Sequence, residues 1–396
     1  MTYPISDRMA PMRGSAIREI FKYAADPSVI SLAGGNPAPE LFPNEALGKI
    51  AEEMLREQPV LALQYGITEG YAPLRDAIRE RLRRIENIGG ADDELIVVSG
   101  GQQGIELTTK VLVNEGDTVL VEEPSFIGAT NAFRSYGAHL VGVPVEEDGI
   151  CVEALEQALK ENRNIRFLYT IPTFQNPMGV TMSLKKRKAV YELAKRYGIL
   201  ILEDNPYGDL TFDGTKLPTI KSMDTEGIVL YSGSFSKILA PGLRLGFLCG
   251  NREILSKVVI AKQISDVHTA MLPQLLATEY MKRYDMEGAI CGMRANYAHK
   301  CGTMLDAMAE FFPADVSYTR PGGGLFIWCD LGHGLDTLAL SRKAIEQKVV
   351  YVPGNTFMTD MDKPCSTLRL NYSTMSDEKI VEGIRRLGAV FRDALK

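Results

Sequence analysis

Short, apolar, β-branched runs recur through the middle of the chain: "LIVVSG", "TVLVEEP", "LVGVPV", "IRFLYTIP", "GILILED", "GIVLYSGS" and "RLGFLCG". A strand buried on both faces reads as such a run rather than as an alternation. Most neighbouring runs are separated by a stretch with helical periodicity. In "SLKKRKAVYELAKRYG" the apolar positions recur at helical spacing, Lys and Arg cover the other face, and Gly198 supplies the stop. Seven such runs alternating mostly with helices predict an α/β domain on a mostly parallel, seven-stranded sheet.

After about residue 285 the rhythm changes. "MEGAICGMRANYAHKCGTMLDAMAEFF" reads as a long helix, followed by "GGGLFIWCDL", a helix, "VVYVPGNTF", "TLRLNYS" and a last helix. This predicts a smaller α+β domain. Residues 1–44 are too few for a domain of their own. The expected division is a large domain at 45–285 and a small one made of 286–396 with the N-terminal arm 1–44.

Composition narrows the function. A net charge of −6 argues against a nucleic-acid partner or an anionic membrane surface, both of which call for basic patches. The start, "MTYPISDRMAPMRGS", has no apolar run of the signal-peptide kind, and no run approaches the ~20 apolar residues of a membrane span. The six cysteines lack CxxC spacing and the four histidines are scattered, so no metal site is expected. The cysteines read as reduced thiols of a cytoplasmic protein.

In open α/β sheets, ligands bind beyond the carboxyl ends of the strands. Five polar clusters follow apolar runs directly: "SGGQQG" after "LIVV", "EEPSF" after "TVLV", "PTFQNPMG" after "FLYTI", "EDNPYGD" after "LILI", and "SFSK" after "VLYSG". On one edge of one sheet, all five would build one site.

The last of these opens "SGSFSKILAPGLRLGF", Ser232 to Phe247, with Lys237 beside Ser234 and Ser236, and Arg244 seven positions on. An amine is nucleophilic only when neutral, and an exposed lysine titrates near ~10.4. Burial or a nearby cation lowers that value and favours covalent chemistry at the amine. Arg244 offers a permanent charge that can fork onto a phosphate. Taken alone, a lysine in a polar turn is ordinarily a surface lysine.

The other clusters change that balance. In "SGGQQG", Gly100, Gly101 and Gln102 lead into a helix-like segment, where backbone N–H groups face an anion. Asp204 follows "GILIL" directly. A carboxylate at the end of a buried strand needs a partner; a pyridinium nitrogen, a helix terminus or a structural ion pair would each serve. Tyr207 and Asn176 are donors suited to a phenolic oxygen. Phe126 either stacks on an aromatic ring or belongs to the core. An anion cradle, an aldehyde-trapping amine, a pyridinium partner, a ring platform and donors for a ring hydroxyl together fit pyridoxal 5′-phosphate, an electron sink whose ionisation and orientation the protein sets.

The chain also resembles, throughout its length, the fold-type I pyridoxal-phosphate aminotransferases of class I/II, and within them the 2-aminoadipate/kynurenine aminotransferase-like subgroup. The matching stretches, in the family's order, are "SLAGGNPAPELFP", "LQYGITEGYAPLRDAI", "SGGQQG", "PTFQNPMG", "EDNPYGDL", "SFSKILAPGLRLGF" and "TLRLNYS". The resemblance implies that Lys237 holds the cofactor covalently and then shuttles a proton. It implies that Asp204 keeps the pyridine nitrogen protonated and that Asn176 and Tyr207 bond the ring oxygen. Ser234, Ser236, Arg244, Gly101 and Gln102 would hold the phosphate, with Tyr65 reaching the phosphate of a neighbouring subunit in a homodimer with shared active sites. Arg369 would fork onto the substrate α-carboxylate, Gly35 would line the pocket, and Arg18 would be a mobile partner for acidic side chains.

Two positions depart from the family pattern. Gly101 stands where Ser or Thr is frequent, which removes one hydroxyl from the phosphate contacts. Phe126 replaces a frequent Tyr, which keeps stacking and loses a hydrogen bond. The expected activity is transfer of an amino group between an α-amino acid (glutamate, 2-aminoadipate, aromatic or aliphatic) and a 2-oxo acid such as 2-oxoglutarate. A β-lyase on the same cofactor is the alternative. Decarboxylation fits less well, because Arg369 would hold the carboxylate. A non-catalytic regulator fits least, because only about 30 residues precede "SLAGGNP", too few for a winged-helix module.

Overall fold

The computed structural model describes residues 3–10, 12 and 26–396. All seven apolar runs form strands of one sheet. In spatial order these are Asp93–Val98, Gly246–Asn251, Val229–Ser234, Leu200–Asp204, Ile165–Thr170, Thr118–Glu123 and His139–Glu146, and an eighth strand, Gly149–Ile150, extends the last edge. The eighth was not predicted. It pairs antiparallel with its neighbour across the tight turn at Glu147–Asp148, with Gly149 at φ +106°. Two residues are too short for an apolar run to register, and only the turn chemistry of "EEDG" marks it.

The five strands from Val229–Ser234 to His139–Glu146 pair in parallel. Gly246–Asn251 runs antiparallel to both of its neighbours. The cause is the connection before it. A parallel crossover takes a dozen or more residues, usually with a helix. Residues 235–245 carry only a short 3-10 turn at Pro241–Leu243, so the chain reverses. That reversal leaves the Lys237 loop on the carboxyl end of Val229–Ser234.

The sheet interior is dry: Leu95, Ile96, Val97, Val98, Val119, Leu120 and Val121 have no exposed surface. Each such side chain contributes about 1.5–3 kcal/mol relative to staying in water. Helix Leu184–Tyr197 begins where the Ser183 hydroxyl accepts from the Lys186 N–H and ends at Gly198 with φ +64°.

A second, four-stranded antiparallel sheet holds Ser317–Tyr318, Phe326–Asp330, Thr367–Asn371 and Val352–Pro353. The long helix Met286–Phe311 packs against the last helix, Asp377–Ala394, beside it. Ile30–Ser31 pairs in parallel with Val349–Val350, so the described N-terminal segment joins this part of the chain. No described helix is long and apolar enough to cross a membrane.

Candidate functional site

The Lys237 Nζ donates to the Gly35 carbonyl at 2.6 Å. The side chain is half-buried. The protein packed around its amine, with the charges of Arg369 and Arg244, brings that amine down to about 8 from 10.5. Each cause disfavours the ammonium form.

Asp204 ends its strand and is buried. The Tyr169 hydroxyl donates to its Oδ2 at 2.8 Å. Burial pushes the carboxyl up to about 6, offset in part by the Tyr169 and Ser232 hydroxyls. Ser232 Oγ lies nearby without completing a hydrogen bond. Among the described residues no cation pairs with Asp204.

The turn Ser99–Gln102 faces this carboxylate. Gly100 has φ +83°, and a Cβ there would lie 2.4 Å from Arg244 Nη2. Gly101 opens helix Gly101–Leu112, and a Cβ on it would lie 3.7 Å from Ser232 Oγ and 4.0 Å from Asp204 Oδ1 and Ser234 Cβ. The two glycines thus bring the helix N-terminus, Arg244, Ser234 and Asp204 to one point. Ser234 Oγ accepts from the Ser236 N–H at 3.1 Å. Arg244, itself at φ +52°, donates to Ser99 O at 3.4 Å and Pro241 O at 3.3 Å. Gln102 is exposed and donates to Gly128 O at 2.8 Å. Phe126 is half-buried and closes over the same glycine: a Cβ on Gly128 would meet its ring at 2.4 Å.

Arg369 is buried, donating from Nη1 to Asn176 Oδ1 and from Nη2 to Ala33 O, both at 2.8 Å. The rings of Phe326 and Phe357 flank its guanidinium, with centroids at 4.2 and 5.0 Å. Burial brings Arg369 down to about 10, and its Nε has no partner among the described residues. Tyr207 is buried, packs edge-on to Phe326, and has its hydroxyl pushed up by burial. Gly35 faces the Phe326 ring, which a Cβ would approach to 3.5 Å.

Two expected residues stand apart. Tyr65 is 80% exposed, edge-on to His268 at 5.6 Å, so it does not meet the Lys237 cluster within its own chain. Arg18 lies outside the described residues.

Four site residues escaped the sequence reading: Tyr169, Ser232, Phe326 and Phe357. Tyr169 pairs in register with Leu202, which places it on the face of the sheet that also carries Asp204. Ser232 sits in register with Asp204 itself. Only strand pairing reveals these neighbours. The aromatic residues in "GGGLFIW" and "PGNTF" were visible as residues, but nothing in the sequence aimed them at Arg369.

These groups fit pyridoxal 5′-phosphate. A buried carboxylate without a cation is costly, and a pyridinium nitrogen would provide one. The glycine cradle under Arg244 suits a phosphate, and the lowered amine of Lys237 suits an aldehyde.

Comparison with known proteins agrees. The family model for aminotransferase class I and II matches residues 28–387. The aromatic-amino-acid aminotransferase 1 of Thermococcus litoralis is 41% identical over 395 residues, covering 99% of this chain and 94% of that protein. The 2-aminoadipate transaminase of Thermus thermophilus is 42% identical, covering 97% and 95%. The solved kynurenine aminotransferase of Pyrococcus horikoshii, in complex with PMP, superposes with a TM-score of 0.95 at 40% identity, over 99% of this chain and 98% of that one.

Proposed function

The chain belongs to the class I and II aminotransferases and acts with pyridoxal 5′-phosphate on amino acids, and from that premise we propose how its residues divide the work. When bound, the cofactor supplies an aldehyde for the amino group and a protonated ring that withdraws electrons from the substrate α-carbon.

Asp204 holds the proton on the ring nitrogen. Its buried carboxylate, with no cation of its own among the described residues, is the observation that carries this reading. Lys237 Nζ is the covalent anchor and the base that takes the α-proton; an amine near 8 is partly neutral at working pH. Asn176 and Tyr207 orient the ring oxygen. Gly100, Gly101, Gln102, Ser234, Ser236 and Arg244 bind the phosphate, and Phe126 packs the ring face. Arg369 forks onto the α-carboxylate, and Phe326 and Phe357 hold its plane. Gly35 keeps the pocket wall bare.

The substrate range proposed is that of the named relatives, aromatic amino acids and 2-aminoadipate, with 2-oxoglutarate as acceptor. Arg18 is the proposed partner for an acidic side chain. The proposed assembly is a homodimer in which Tyr65 serves the neighbouring site. The exposed apolar side chains Leu63, Tyr65, Ile67 and Val267 support this, since such a cluster is ordinarily covered by a partner.

Borohydride reduction of the loaded enzyme, followed by peptide mapping, tests the anchor. Cofactor fixed on Lys237, and none fixed in Lys237→Ala, is expected. Cofactor fixed on another lysine overturns the assignment.

A further inference from the structure

Ser99 is the joint between strand Asp93–Val98 and helix Gly101–Leu112, and each of its polar atoms is held. Its N–H donates to Gln103 Oε1 at 2.7 Å. Its hydroxyl donates to Asp266 Oδ2 at 2.9 Å and lies 3.2 Å from Thr269 Oγ1. Its carbonyl accepts from Arg244 Nη2 at 3.4 Å.

Behind this joint lies Lys262, a lysine with no exposed surface. Its Nζ donates to Gln103 Oε1 at 2.9 Å and to the two Asp266 oxygens at 2.8 and 2.9 Å. Gln103 Nε2 donates to Asp266 Oδ2 at 2.7 Å. Lysine is almost never fully buried unless paired. Apolar side chains of similar volume would close the same corner without desolvating a lysine ammonium. What apolar side chains cannot do is fix the rotation of a peptide group.

The backbone around the network is also unusual. Val267, a β-branched residue, has φ +66°, a conformation it adopts only when its surroundings impose it. Its N–H donates to Lys262 O at 3.2 Å. This turn allows Asp266 and Thr269 to face Ser99 together. On the other side of Ser99 comes Gly100, the most pliable residue available. The first N–H groups of the helix follow, which have no partner within the helix.

We propose that Lys262, Asp266 and Gln103 are positioning residues: they clamp Ser99 so that the N–H groups of Gly101 and Gln102 are preset for the cofactor's phosphate. The inference rests on the reading of this turn as the phosphate site. Its specific consequence is that the network serves the phosphate and not the ring.

The test is equilibrium binding of the cofactor-free protein to pyridoxal 5′-phosphate and, separately, to pyridoxal, which lacks the phosphate. The parent must first prefer the phosphorylated ligand; equal affinity for the two overturns the phosphate reading itself. Given that preference, Ser99→Ala is expected to weaken pyridoxal 5′-phosphate about tenfold, the worth of one hydrogen bond, and to leave pyridoxal within about twofold. Ser99→Thr, which keeps the hydroxyl, is expected to restore binding. Asp266→Asn is expected to lose more, because Lys262 is then buried without a counter-ion. If Asp266→Asn does not fold, the Ser99 pair decides alone. Unchanged affinity in Ser99→Ala, or equal losses for both ligands, overturns the positioning role.

Discussion

Asp204→Asn should stabilise the cofactor-free protein while crippling the loaded enzyme. Burial holds the Asp204 carboxyl up to about 6, against 3.8 for an ordinary aspartate. A folded-state value above the unfolded one means that the fold prefers the protonated acid. Stability is therefore lost as pH rises from about 4 through 6 and does not return above it. A shift of about two units makes the ionised carboxylate cost on the order of 3 kcal/mol at pH 8 and roughly half of that at pH 5. Asparagine is neutral, nearly the same shape, and still accepts from Tyr169. The variant should thus gain up to about 3 kcal/mol over its parent at pH 8, and roughly half of that at pH 5. Urea unfolding of both cofactor-free proteins across that range measures it. The difference between them is the quantity to read, because Glu203 and Glu122 are also pushed up by burial. In the loaded enzyme the same substitution removes the partner of the ring proton. Turnover should then fall on the order of 10²-fold or more, mainly in kcat, with cofactor retained. An advantage that is absent, or that shrinks as pH rises, refutes the reasoning.

With Lys237 near 8, the initial rate of covalent cofactor capture should rise with pH about a midpoint near 8; a midpoint near the ordinary lysine value would contradict the lowered amine. Mixing inactive Lys237→Ala and Tyr65→Ala subunits should restore activity, since one site of each mixed dimer keeps both residues. No restoration despite demonstrated exchange would confine Tyr65 to its own chain. Arg18→Ala should weaken glutamate and 2-aminoadipate by about 1.5–3 kcal/mol in single-turnover kcat/KM, the range for a bond to a charged group, while sparing leucine and aromatic donors. Equal losses across donors would refute that role.

Much of this was legible because the chemistry sits in short local signals. Each apolar run became a strand, and the clusters that follow five of them face one edge. Lys237, Asp204 and Arg244 could be picked out because burial-prone context and charge coincide within a few residues. Tyr169 and Ser232 could not, since their nearness to Asp204 is a matter of register between strands distant in sequence. Lys262 carried no local signal that set it apart, and only packing brings it to Gln103 and Asp266 behind Ser99. Tyr65 was legible as a motif, but within its own chain it is exposed beside His268 and stands apart from the Lys237 cluster.

The most direct test of the account is a single turnover of the loaded enzyme with an amino acid donor and no acceptor. The account predicts one equivalent of 2-oxo acid, the amino group retained on the enzyme-bound cofactor, and no ammonia. Release of ammonia with a donor that carries a β-leaving group, in place of retained nitrogen, would contradict it.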